Sequence, residues 1–259
     1  MPGALYSLDG DRMVPGPLTV GPWYPDAQHG GPVAALLARA VESAPAPTAM
    51  QVVRLTVELV RPVPLRPLHV SSAVTRPGRK VQIVDAALSC DGTEVARARA
   101  LRIRDADTAL PAQDPDPVSP APPVGDAVAL PPIGSTRTAF IEAVDLRFVK
   151  GSWEEPGPVT MWSRLLVPVV DGEKVSPLQR TAAAADFGNG VSRIVDFETH
   201  LFINPDLTVA LSRLPEGEWI GFDVVSRLSG RGYGQAESLI FDPIGPVGRA
   251  VQSVLVERR

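Results

Sequence analysis

The chain has 259 residues, a formal charge of -4 and one cysteine, Cys90. An acidic balance offers no basic surface for nucleic acid, and a lone cysteine excludes an intramolecular disulfide framework or a multi-cysteine metal site. There is no long apolar run of membrane-spanning length, and the opening MPGALYSLDGDRM lacks the apolar core of a secretory signal, so a soluble cytoplasmic protein without a membrane span is expected.

The first regular element is GGPVAALLARAVES (30–43), where Val33, Leu36, Leu37 and Val41 recur at helical spacing. Strands are expected at 52–60, 68–76, 80–90 and 94–104, with turns at RPGR (76–79) and CDGT (90–93). Residues 106–135 are rich in proline, aspartate and alanine and carry no period, which predicts a linker. Beyond it, SPLQRTAAAADF (176–187) reads as a second helix closed by Gly188 and Gly190. Strands are then expected at 200–213, 218–229, 233–241 and 247–257.

The two halves, 1–105 and 136–259, resemble each other. LTVELVRPVPL (55–65) matches LTVALSRLPEG (207–217), and DGTEVARARALRIR (91–104) matches PIGPVGRAVQSVLVER (243–258). Order and spacing agree, and each pair is preceded by one helix, which predicts an internal duplication. A helix followed by an antiparallel meander is an α+β pattern and excludes a parallel nucleotide-binding sheet. An alanine-rich helix can lie deep in a curled sheet, and two such units, fused, form a pseudo-dimer.

In the last strand, Gln252 is the one polar residue on a face otherwise made of Ala250, Val254 and Val256. A buried amide needs partners, supplied either by local backbone or by a site. In HLFINPDLTVAL (200–211), alternation groups Asn204, Asp206, Thr208 and Ala210, and Pro205 predicts a start or bulge there. Asp186, ending the alanine run, is the candidate general base; Asn204 and Gln252 are candidates to hold the same water. The linear match places Val52, Ala34 and the Ala98–Ala100 stretch at the corresponding first-half positions, so one chemically equipped half is expected.

Other candidates compete with bland readings. His29 precedes the first helix and serves as base or as a structural residue of the helix start. His69 and His200 lack ligand spacing, so no metal is expected. No serine lies in G-x-S-x-G, and GRGYGQ (230–235) sits between strands, which is the wrong context for a phosphate loop. Cys90 and the four tryptophans read as structural. Arg76 and Arg79 form a small basic cluster that is either a solvated turn or an attractor of phosphate groups.

QHGGP (28–32), FINPDLTV (202–209) and GRAVQSVLVER (248–258), together with most of the chain outside the linker, resemble the double hot-dog acyl-CoA thioesterases, in particular the actinobacterial-type branch of the type II group. The resemblance implies two fused hot-dog units, hydrolysis of an acyl-CoA without a cofactor or metal, and a homo-oligomer. It implies a water held by Asp186, Gln252 and a hydroxyl position that falls on Asn204, a departure from the pattern, with Thr208 as the neighbouring hydroxyl. It also implies an oxyanion held by a backbone N–H, for which His29, Gly30 and Gly31 at a helix start are candidates; Arg76 and Arg79 stay candidates for the substrate's phosphates on their charge alone. The alternatives on the same fold are a hydratase or dehydratase using His29 and a non-catalytic acyl-CoA-binding scaffold.

Overall fold

A computed structural model describes residues 3–109 and 139–259; the linker expected at 106–135 therefore lies largely outside the described residues. The first unit opens with a hairpin, β1 (Tyr6–Asp9) and β2 (Arg12–Pro15), followed by α1 (Gly30–Ser43) and four strands: β3 (Met50–Glu58), β4 (Leu68–Arg76), β5 (Val81–Cys90) and β6 (Thr93–Arg104). The second repeats the plan: β7 (Val144–Lys150), β8 (Val159–Leu165), α2 (Pro177–Ala185), the short α3 (Gly188–Val191), then β9 (His200–Ile203), β10 (Asp206–Leu211), β11 (Trp219–Leu228), β12 (Tyr233–Phe241) and β13 (Pro246–Arg258).

The strands form one antiparallel sheet in the order β1-β2-β4-β5-β6-β3-β10-β13-β12-β11-β8-β7. Each half of this order is the mirror of the other, so the two units meet at the β3–β10 seam. There Thr56 faces Thr208, Leu55 faces Val209 and Val57 faces Leu207. The repeated LTV strings are thus paired with each other about a pseudo-twofold axis, which explains why they are alike in sequence. Two hot-dog units share a continuous sheet, with α1 and α2 packed against each other inside it.

Alanine makes that packing possible. Ala34, Ala35, Ala38, Ala182, Ala183, Ala184 and Ala185 are all buried, so the helices approach closely without side-chain bulk between them. The sheet strands alternate as expected: in β13, Ala250, Gln252 and Val254 point inward while Arg249 and Ser253 are exposed.

Three features differ from the sequence expectation. The hairpins β1–β2 and β7–β8 precede the helices, and the four-residue strands of the first are too short to show a period. The strand expected at 200–213 is broken at Asn204–Pro205 into β9 and β10, which pair with different stretches of β13. Gly188 and Gly190 do not end the second helical segment but continue it into α3. A Cβ on Gly188 would lie 2.8 Å from Gln252 Oε1, so glycine lets α3 seat directly on β13.

No helix of the described residues is long and apolar enough to cross a membrane. In the second unit a buried carboxylate, Asp242, is paired with the half-buried Arg213. Burial alone would raise the Asp242 carboxyl, but the Arg213 guanidinium at 2.6 Å and the backbone N–H groups of Glu216, Gly245 and Ile244 outweigh it and hold the pKa at about 2. A carboxyl depressed from 3.8 to about 2 contributes stability above its unfolded pKa and loses it as pH falls through the folded value. Asp242→Asn is expected to cost about 2 kcal/mol at pH 7 and to flatten the loss of stability between about pH 4 and pH 2. Urea unfolding of both proteins at pH 7 and pH 3 checks this; equal differences at the two pH values would contradict it.

Candidate active site

The start of α1 is held by stitched loops. His29 N–H donates to Thr19 O at 2.8 Å and Gln28 N–H to Val63 O at 2.8 Å. The Gln28 amide is fixed between the buried Tyr6 hydroxyl and Pro64 O. His29 is the N-cap: its Nδ1 accepts from Gly31 N–H at 3.0 Å. The two following glycines are required by proximity to α2. A Cβ on Gly30 would lie 2.6 Å from Asp186 Oδ2, and a Cβ on Gly31 would lie 2.6 Å from Ala183 O.

Asp186 caps the C-terminus of α2, where the helix dipole disfavours an anion. The opposing N-terminus of the longer α1 offsets this, and three side chains converge on the carboxylate. Asn204 Nδ2 donates to Oδ1 at 2.8 Å. Gln252 Nε2 lies 3.4 Å from Oδ1 and donates to the Asp186 carbonyl at 3.2 Å. His29 Nδ1 stands 2.9 Å from Oδ2. Gln252 Oε1 in turn accepts from Asn189 N–H at 2.9 Å. The amide therefore grips the turn carrying Asp186 from behind as well as reaching its carboxylate.

Asp186, Asn204, His29 and Gly30 line a cavity of about 340 Å³, whereas Gln252 sits behind the wall. The rest of the lining is mostly aromatic and aliphatic, including Trp23, Trp153, Phe187 and Phe197. Phe197 stacks on Trp153 at 5.6 Å and tilts against Phe202 at 4.7 Å; Trp23 meets Phe202 edge-on at 5.1 Å. The hairpin loop bearing Trp153 is tied down by Arg193, whose guanidinium donates to the carbonyls of Trp153 and of Glu154. Burial lowers the pKa of this guanidinium, which also lies 5.5 Å over the Trp153 ring and 5.2 Å over Phe197. A buried cation thus fixes an aromatic roof.

The residues singled out in the sequence fall into two sets. Asp186, Asn204, Gln252, His29 and Gly30 come together, and Gly31 packs against Ala183 and Phe140 immediately behind. Thr208, Arg76 and Arg79 do not join them. The break at Asn204–Pro205 turns Asn204 inward, while Thr208 stays on the outer face of β10 and bonds Thr56 Oγ1 at 3.2 Å across the seam. Arg76 lies beside the β4–β5 turn, donating to Val81 O, and neither arginine lines the cavity.

Trp162 is a core residue and Trp219 is flanked by the guanidinium groups of Arg147 and Arg164, in keeping with a structural reading, but Trp23 and Trp153 face the cavity. The clustered aromatics of GPWYPDAQHGG were the available signal for Trp23; Trp153 and Arg193 carried none. The first unit does have a related carboxylate. At the opposite end of the helix pair, Glu42 Oε2 accepts from the α2 N-cap Ser176 at 2.7 Å and from Gln179 at 3.2 Å, and burial raises its pKa. Geometry, not the linear offset to Ala34, identifies this counterpart. Among the described residues no group of three or more His, Cys, Asp or Glu side chains is arranged to hold a metal.

Comparison with known proteins agrees with this architecture. The family profile for the acyl-CoA thioesterase N-terminal domain matches residues 19–103, and that for the acyl-CoA thioesterase C-terminal domain matches residues 111–256. Among solved structures, a protein named as a thioesterase II from Thermobifida fusca superposes with a TM-score of 0.74 at 20% identity, over 97% of this chain and 94% of that one. A protein named as a thioesterase from Novosphingobium aromaticivorans gives 0.73 at 20% identity, over 97% and 98%. The tesB protein of Mycobacterium avium subs paratuberculosis gives 0.70 at 16% identity, over 97% and 95%. These likenesses carry the fold. No curated protein matches the chain by sequence.

Proposed function

Because the chain belongs to the acyl-CoA thioesterase family, we propose that it hydrolyses an acyl-CoA thioester to the free acid and CoA by direct attack of water, with Asp186 as general base. The observation that carries this is one buried carboxylate, bonded by Asn204 and Gln252, that lines an apolar cavity beside the N-terminus of α1. The units are divided at 106–135, and a cytoplasmic homo-oligomer is part of the same proposal.

In this reading the acyl chain lies under the aromatic roof and the thioester carbonyl points at the start of α1. The first N–H groups of a helix have no intrahelical acceptor, and the dipole there favours negative charge. In this reading Gly30 N–H meets the oxyanion as it forms. Asn204 commits Nδ2 to Asp186 and to Asp206 O at 3.3 Å, leaving its Oδ1 to accept from the attacking water. An amide aims a water but relays no proton, so the proton goes to Asp186. The C–O bond forms, the C–S bond breaks, and the thiolate leaves with the electron pair. Gln252 keeps the carboxylate in register from behind.

Free-thiol release from a panel of acyl-CoAs tests the proposal, and absence of thiol from every chain length would remove its support. Trp153 sets the size of the acyl subsite in this reading. Trp153→Leu is expected to shift kcat/KM toward longer or bulkier acyl groups by about tenfold relative to the best wild-type substrate. An unchanged chain-length profile would show that the roof does not touch the acyl group.

The contact between His29 and Asp186 also favours a second reading, hydration of an enoyl-CoA with the imidazole as base. Loss of enoyl absorbance without thiol release, abolished in His29→Ala, is its signature. Binding of acyl-CoA with neither signal marks the scaffold reading.

A further inference from the structure

His29 Nδ1 has two neighbours that make opposite demands. Gly31 N–H at 3.0 Å needs a lone pair there. Asp186 Oδ2 at 2.9 Å accepts a proton from that nitrogen when the carboxylate is ionised, or donates one when it is protonated. A single ring nitrogen carries either a lone pair or a hydrogen. The N-cap bond selects the lone pair, which places the ring N–H on Nε2 and leaves Nδ1 as an acceptor facing the carboxyl group.

We propose, on the basis of the thioesterase reading, that His29 is the positioning residue that makes Asp186 an effective base: the proton taken from water comes to rest on Oδ2, donated to Nδ1. The balance is simple. Water loses a proton to Asp186 as its oxygen bonds the carbonyl carbon; the carboxyl group holds that proton against His29 Nδ1; and it passes to the departing thiolate, which restores the carboxylate. The ring gains no net proton.

The surroundings fit this role. The ring lies 4.9 Å from Phe140 and 5.1 Å from Phe187, which stack on each other, and its side chain is 11% exposed. In so dry a setting a hydrogen bond is stronger than in water. The other side chains reaching the carboxylate, Asn204 and Gln252, are neutral, and the remaining titratable groups on the cavity wall are Tyr24 and Arg61. His29 and Asp186 come from different units, so the device exists only when the two helices are packed together.

Two measurements decide the matter. The first needs no turnover: long-range nitrogen–proton spectra of the intact protein at neutral pH should show His29 with a bare Nδ1 and a protonated Nε2. A proton on Nδ1 overturns the proposal, whether or not the protein hydrolyses thioesters. The second separates capping from proton handling. Asparagine is an excellent N-cap, so His29→Asn preserves the acceptor for Gly31 N–H and is expected to keep the wild-type Tm, whereas His29→Ala lowers it. His29→Asn should nevertheless lose about tenfold or more in kcat, with the acid limb of the kcat/KM profile moved to lower pH because the protonated carboxyl has lost its acceptor. A wild-type kcat and pH profile in His29→Asn would reduce His29 to a cap and overturn the inference while leaving thioester hydrolysis intact.

Discussion

Asp186→Asn is expected to lower kcat/KM for thioester hydrolysis by roughly 10²–10⁴-fold, the contribution typical of a positioned general base. The substitution is isosteric, and its partners tolerate it. The carbonyl oxygen of the substituted side chain still accepts from Asn204 Nδ2, which lies 2.8 Å from Oδ1 in the native protein. The new amide N–H faces His29 Nδ1, a lone pair already 2.9 Å from Oδ2. Backbone bonds of the turn, from Gln252 Nε2 to the main-chain carbonyl of position 186 and from Asn189 N–H to Gln252 Oε1, do not involve the carboxylate at all. Folding should therefore be preserved while the proton acceptor is lost. Thiol-release kinetics paired with a thermal melt read both. Retained activity in a folded Asp186→Asn protein would place the base elsewhere.

Gly30→Ala is expected to damage the same step without removing a functional group, lowering kcat/KM about 10²-fold. The added methyl would lie 2.6 Å from Asp186 Oδ2 and 2.7 Å from Oδ1, closer than packed atoms allow, so the carboxylate or the first turn of α1 must move. A displacement of about 1 Å in a catalytic array costs about 10²-fold. Gly31→Ala is the control. Its methyl would meet Ala183 O at 2.6 Å and the Phe140 ring, a clash between the helices rather than with the carboxylate. It should cost about 1–3 kcal/mol of stability through overpacking and show a smaller effect on kcat per folded molecule. Steady-state kinetics and denaturant melts on the two variants separate the roles. Equal kinetic losses in both would mean that the glycines serve only helix packing.

Much of the frame was legible because antiparallel strands with one buried face write their geometry into alternation. β4, β5, β6, β11, β12 and β13 start and end within a residue or so of the expected bounds. The duplication was legible for a different reason: the LTV strings lie at the seam, where each faces its own counterpart and the packing demands are the same from both sides. The opening hairpins left no such trace. β1 and β2 have four residues each, and in β7 the start Val144, Asp145 and Leu146 is buried without alternation because Asp145 is held by Arg147 and Arg164.

The site divides in the same way. Gln252 stood out because a polar residue on an apolar strand face is a local anomaly, and Asp186 because a carboxylate ended a run of buried alanines. Thr208 and Asn204 were grouped by an alternation that Pro205 interrupts; the break rotates one inward and leaves the other on the outer face.

Composition, period and repetition, which act between near neighbours in the chain, determined the two-unit plan, the buried alanine helices and the isolated polar positions. The approach of α1 to α2 was decided only in three dimensions, since it joins residues 157 positions apart: His29 and Asp186 belong to different units and share no sequence pattern. The same holds for the cavity roof, where Arg193 reaches the carbonyls of a hairpin loop 40 residues earlier. Hydrogen bonding and steric exclusion act over a few ångströms regardless of separation along the chain. The frame can therefore be read locally, whereas the contacts that give Asp186 its chemistry exist only once the sheet has closed around both helices.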